Sequence, residues 1–153
     1  MQVVVQRETF RRYAGHTTAV TIDGEQFRLT AARGRDGTLA EVAIGWGRHY
    51  GSAEGLLRAY AMALSAGLDR GVPLADLLRT GLGLRFSPGG STDDPDIPYA
   101  FSVVDYCCRR LAIDWLPAAE RAALGVTAPA ERPVQGGNHA SPKVALEHDH
   151  ENF

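Results

Sequence analysis

The stretch GWGRHYGS, from Gly45 to Ser52, is where residue types and spacing could do chemistry. Glycines at 45, 47 and 51 let a ligand approach the backbone closely. A helix beginning just afterwards presents unpaired N–H groups with a partial positive charge, and Arg48 and His49 add donors for an anionic oxygen. Phosphate is the natural ligand chemistry, with Gly45, Gly47, Arg48, His49, Gly51 and Ser52 as the candidate binding residues and Ser52 as the expected N-cap. The spacing matches neither the dinucleotide fingerprint nor the lysine-bearing phosphate loop, and the same glycines would also serve a tight strand-to-helix corner without any ligand.

Other groups offer less. Cys107 and Cys108 are neighbours inside FSVVDYCCRRLAIDWL, where Phe101, Val104, Cys108, Leu111 and Trp115 recur at helical spacing. Successive helical residues are about 100° apart, so the two sulfurs point apart and are read as unpaired thiols rather than a redox pair or metal site. Asp105 and Arg109 are expected to pair on the wet side of that helix. Asp93-Asp94-Pro95-Asp96 reads as a turn with capping carboxylates. His139, His148 and His150 lack a rigid scaffold for a metal. Trp46, Tyr50 and Tyr99 could stack on a base or simply pack. No catalytic residue is assigned.

The elements that must position these groups follow from patterning. With 153 residues, 44% hydrophobic and 22% charged, the chain fits one globular core. Val20 and Ile22, then Phe27 and Leu29, alternate with polar residues around Asp23-Gly24, and a turn at Arg35-Asp36-Gly37 leads to a third strand through Ile44. MQVVVQ is a candidate fourth strand. Leu56, Leu57, Tyr60, Ala61, Leu64 and Leu68 predict a helix of about five turns stopped at Gly71-Val72-Pro73, and a short helix follows over Leu74 to Arg79. FSPGGSTDDPDIP is predicted to be a loop. The expected fold is α+β: a small antiparallel sheet of three or four strands against two long helices. Residues 1–16 are a leading segment, 17–125 the domain, and 126–153 a tail too poor in large apolar side chains to order itself. A net charge of −2 excludes a DNA-coating surface, although Arg28, Arg33, Arg35 and Arg48 crowd one part of the sequence and leave room for a local anion site. No apolar run is long enough to span a membrane, no secretory signal opens the chain, and the two cysteines suggest no disulfide framework, so a cytoplasmic location is expected.

The runs TIDGEQFRLTAARGRDGTLAEVAIGWG, EGLLRAYAMALSAGLDRGVPLADLL and LRFSPGGSTDDPDIPYAFSVVDYCCRRLAIDWL together resemble the TSCPD domain found near the C-terminus of adenosylcobalamin-dependent (class II) ribonucleotide reductases. The resemblance covers residues 17 to 125. It includes the Phe-x-Pro-x-Gly loop and a helix reading Ser-hydrophobic-hydrophobic-Asp-Tyr, then Arg-Arg-Leu-Ala. It implies a stand-alone accessory or nucleotide-binding module of deoxyribonucleotide synthesis, inactive alone, docking on a reductase catalytic subunit that holds the adenosylcobalamin. Cys107 and Cys108 do not match the redox pair of the reductase tail. Where the family often has Asp-Met-Gly-Lys-Glu-Gly, this chain has Gly-Trp-Gly-Arg-His-Tyr-Gly, which leaves a different ligand open. The alternative is an oligomeric binding protein for a nucleotide-like or signalling nucleotide, and a homo-oligomer through the long helices fits either reading.

Overall fold

A computed structural model of the chain describes residues 14–47 and 51–128. Three strands, β1 (Ala14–Ile22), β2 (Glu25–Arg33) and β3 (Leu39–Trp46), form an antiparallel sheet in that order. The first hairpin closes through Asp23 and Gly24, with φ of 47° and 82°, the left-handed pair that a two-residue turn needs to match strand twist. At the second, the Asp36 carboxylate accepts from the Thr38 amide (3.1 Å) and hydroxyl (2.8 Å). Alternation puts Val20, Ile22, Phe27, Leu29, Val42 and Ile44 into the core and leaves Ala19, Arg28, Thr30 and Ala43 on the open face. β1 begins inside the leading segment expected over residues 1–16; the candidate strand MQVVVQ lies outside the described residues.

Helix α1 (Ser52–Asp69) runs along the free edge of β3 and buries Leu57, Ala61 and Leu64. Ser65 closes that edge: its hydroxyl accepts from the Val42 amide (2.9 Å) and lies 3.2 Å from the Val42 carbonyl, occupying groups that would otherwise recruit another strand. One helix against one strand edge covers only a narrow stripe. Leu56, expected on the apolar face, is therefore 71% exposed, because it stands one helical step away from Leu57.

Helix α2 (Leu74–Arg79) follows as expected. The segment predicted to be a loop contains short strand β4 (Gly90–Ser91), paired with β5 (Tyr99–Ala100). It also extends the main sheet: Thr92 bridges Ile22, the Asp23 amide donates to Ser91 O (3.0 Å), and the Thr21 amide donates to the Asp93 carboxylate (2.8 Å). Two-residue strands carry no hydrophobic period, so propensity could not reveal them.

Helix α3 (Val103–Trp115) is the centre of the fold. The Ser102 hydroxyl caps it by accepting from the Asp105 amide (3.1 Å) and anchors it by donating to Leu84 O (2.7 Å). It is buried on more than one face, since Tyr106, Cys107 and Ala112 are covered along with Val104, Cys108 and Leu111. Asp105 is 0% exposed, which corrects its expected place on the wet side. The first turn of α3 is covered on every side, from Val103 to Tyr106, which leaves Asp105 no solvated face. Helix α4 (Ala118–Ala123) follows, and Val126 and Ala128 still pack inward, so the ordered chain passes the boundary expected at residue 126. The rest of the tail, with His139, His148 and His150, lies outside the described residues. Among the described residues no helix is long and apolar enough to cross a membrane.

Candidate functional site

The strand-to-helix corner is built by the end of β3 and the start of α1. Gly45 stands beside Arg28 in the β2–β3 register, with Ala19 on the other side of Arg28, so the guanidinium rises from a floor of small residues on the open sheet face. Gly47 has φ of 44°, a left-handed conformation that turns the chain out of the sheet. Gly51, not Ser52, is the N-cap of α1; Ser52 is the first helical residue and no side chain caps this end. The missing cap corrects the role expected for Ser52, and follows from the helix starting one residue earlier than the serine pattern suggested. Arg48, His49 and Tyr50 lie outside the described residues.

A groove of about 590 Å³ opens at this corner between the outer sheet face and α1. Arg28, Thr30 and Gly45 line one side, Glu54, Arg58 and Met62 the other. Arg58 is held by Glu54 at 3.0 Å, one turn away, while Arg28 has no ion-pair partner among the described residues. The structure thus brings Gly45 and Arg28 together. It separates the remaining arginines: Arg33 lies five residues along β2, roughly 17 Å away at strand rise, with its guanidinium 5.1 Å from the Trp115 ring centre, and Arg35 sits exposed in the far hairpin. Trp46 stacks on Phe27 (5.2 Å) and donates its indole N–H to Glu25 (3.3 Å); Tyr99 meets Phe101 edge-on at 5.5 Å.

Cys107 and Cys108 are free and buried. Burial pushes the Cys108 thiol up to about 11, although its contact with the Tyr60 hydroxyl at 3.2 Å works the other way, and burial holds the Cys107 thiol well above its ordinary value. Thiolate is the nucleophile, so neither sulfur reacts while the fold is closed. Titration with a chromogenic disulfide should give no rapid equivalents in buffer and two in denaturant; a thiol reacting within the mixing time of the native protein would contradict this placement.

The acidic loop serves Arg110. Its guanidinium donates to Asp94 (3.1 Å), Asp96 (2.9 Å) and Asp114 (2.7 Å), and the Tyr106 hydroxyl donates to Asp94 at 2.7 Å. These carboxylates tie the loop to α3 and do not cap helices, a correction to their expected role. Burial disfavours the Asp94 carboxylate, but the Tyr106 hydroxyl, the Asp96 amide and Arg110 outweigh it and hold its carboxyl below the ordinary range. A depressed folded pKa gives stability that is present above the unfolded value of about 4 and is lost as pH falls through the folded value. The melting temperature should therefore drop on acidification below about pH 4, and Asp94→Asn should flatten that drop. An identical acid limb in the variant would remove Asp94 from the account.

Asp105 pairs with Arg109 as the spacing predicts, but its burial and its backbone contacts were not expected. Its oxygens accept from the Gly83 amide (2.7 Å), the Phe101 amide (3.0 Å) and Arg109 Nε (3.0 and 3.1 Å). The signal was present as Ser102-x-x-Asp105 before an apolar run, the pattern of a helix N-terminus whose acid turns back onto the backbone.

Comparison with known proteins adds to this geometry. No family model matches the chain, and no solved structure matches it. The chain is similar to part of the vitamin B12-dependent ribonucleotide reductases. It is 41% identical over 118 residues to the reductases of Streptomyces avermitilis and Streptomyces coelicolor, an alignment covering 77% of this chain and 12% of each relative. With the Bradyrhizobium diazoefficiens reductase the identity is 28% over 158 residues, covering 94% of this chain and 13% of that one. The chain therefore spans about an eighth of the length of these relatives.

Proposed function

We propose that the chain is a non-catalytic, TSCPD-type module of ribonucleotide reduction that works against the catalytic part of a vitamin B12-dependent reductase. The observation that carries this reading is the 41% identity over 118 residues, a stretch as long as a whole small domain. The side chains support a structural role: Asp105 is spent on backbone amides and Arg109, and both thiols are shut in the core. The groove at the corner, about 590 Å³, is of a size suited to drug-sized ligands rather than to a corrinoid with its nucleotide arm. The cofactor belongs with the partner in this proposal. The purified chain, given adenosylcobalamin, a dithiol and ribonucleotides, should form no deoxyribonucleotide, and removing its gene should shrink the cellular deoxyribonucleotide pool. Unchanged pools would count against the role.

Arg28 beside Gly45 favours a second reading, a nucleotide-like ligand held by phosphate at the corner of Gly45, Gly47, Arg48, His49, Gly51 and Ser52. A nucleotide at a hundred times its dissociation constant should stabilise the fold by about 2.7 kcal/mol, visible in a melting scan. Arg28→Ala should abolish the shift. If no nucleoside di- or triphosphate, deoxynucleotide or cyclic nucleotide moves the transition, this reading fails.

A further inference from the structure

A second groove, of about 340 Å³ and lined by Trp46, is almost wholly apolar. Leu56 and Tyr60, four residues apart, form the α1 wall. Leu84 and Phe86, in the segment after α2, form the opposite wall, and Val104 of α3 contributes to the floor. Two of the lining hydroxyls are already engaged: Thr80 donates to Leu77 O (3.1 Å), and Tyr60 contacts Cys108 at 3.2 Å. The groove calls for uncharged, apolar side chains and would reject an ion.

Burying apolar area is the main driving force for association, and clustered exposed apolar residues mark contact surfaces. Among the described residues Leu56, Met62, Val72, Leu84, Phe86 and Tyr99 are the large apolar side chains left in water, and three of the six, Leu56, Leu84 and Phe86, line this groove. The open sheet face offers small residues and Arg28 instead, and α3 is already covered. In the similar reductases the matching stretch is 12% of the polypeptide, so the same segment there sits within a chain about eight times its length. A segment embedded in so much more protein needs a face that the remainder covers.

We propose that this groove is the docking surface through which the chain binds the catalytic part of a vitamin B12-dependent ribonucleotide reductase, taking two or three large apolar side chains from a helical or extended segment of that partner. The inference rests on the reading of the chain as a reductase module and adds where the contact is made. Leu56 and Leu84 are the most exposed apolar side chains of the groove, so covering them removes the most apolar area from water.

The test is capture by the tagged full-length chain in extract of the cells that make it, with the reductase identified by its peptides. Wild type, Leu56→Glu, Leu84→Glu and Arg35→Glu, a change in the exposed far hairpin, are compared. Leu56 and Leu84 are 71% and 47% exposed, so a glutamate at either leaves the core intact, which circular dichroism verifies. Wild type and Arg35→Glu should retain the reductase, and each groove variant should weaken retention about thirtyfold. Equal retention by the groove variants would overturn the docking surface and leave the reductase reading standing; no retention by wild type would overturn both. A wild-type dimer in light scattering that Leu56→Glu converts to monomer would assign the groove to a second copy of this chain and overturn the proposal.

Discussion

Asp105→Ala should lower the free energy of unfolding by about 3–5 kcal/mol. The carboxylate is 0% exposed and receives two backbone amides, Gly83 at 2.7 Å and Phe101 at 3.0 Å, as well as Arg109. Removing it strands both N–H groups inside the protein, at roughly 1–3 kcal/mol each. The Arg109 side chain is 28% exposed and can turn partly to water, so it adds less than a fully buried partner would. Asp105→Asn separates hydrogen bonding from packing. Asparagine has nearly the same shape, but its NH₂ faces a donor where the carboxylate oxygen accepted one, so it should recover little of the loss. Urea unfolding measures both variants. An asparagine variant within about 1 kcal/mol of wild type would mean that shape, not acceptance, is what the site requires. Small domains hold only about 5–15 kcal/mol in total, so the alanine variant should sit close to its unfolding limit at 37 °C.

Gly81→Ala should destabilise by about 1–3 kcal/mol through overpacking. A β-carbon there would collide with Cys108 Sγ and stand 2.8 Å from the Tyr60 hydroxyl and 2.9 Å from Val104 Cγ1. Gly81 is not among the glycines with positive φ, so its backbone accepts alanine and the cost is steric. Elsewhere the same exchange gains about 0.4–1 kcal/mol by stiffening the unfolded chain, which makes the sign informative. Cys108→Ala removes the nearest obstacle. The two changes together should cost less than their sum by at least about 0.5 kcal/mol. Additive costs would mean that Gly81 and Cys108 do not share the space the structure gives them.

Local pattern made much of the fold legible. Strict alternation around Asp23-Gly24 specified the first hairpin, helical spacing specified α1 and α3, and Pro73 marked the start of α2 to the residue. Each is a short-range property in which neighbours a few positions apart decide the outcome. The two free thiols followed in the same way, because helix geometry alone holds adjacent sulfurs apart.

The candidate site was legible only in part. Gly45 and Gly47 lie at the expected corner, but the guanidinium the sheet sets beside Gly45 is Arg28, seventeen positions earlier in sequence, because strand register rather than proximity along the chain chooses neighbours. The crowd of arginines dispersed for the same reason: extended backbone carries Arg33 and Arg35 to the other end of the sheet.

By itself, then, the sequence determined the α+β class, the order of the main elements and the turns that join them, since hydrophobic period and turn chemistry act over a few residues. Only tertiary structure decided that α3 would be enclosed, which turned Asp105 from a solvated ion-pair partner into a buried acceptor for two distant amides. It also left Leu56 in water and set it across from Leu84 to make an apolar groove. Burial depends on what packs from far along the chain, and no local period carries that information.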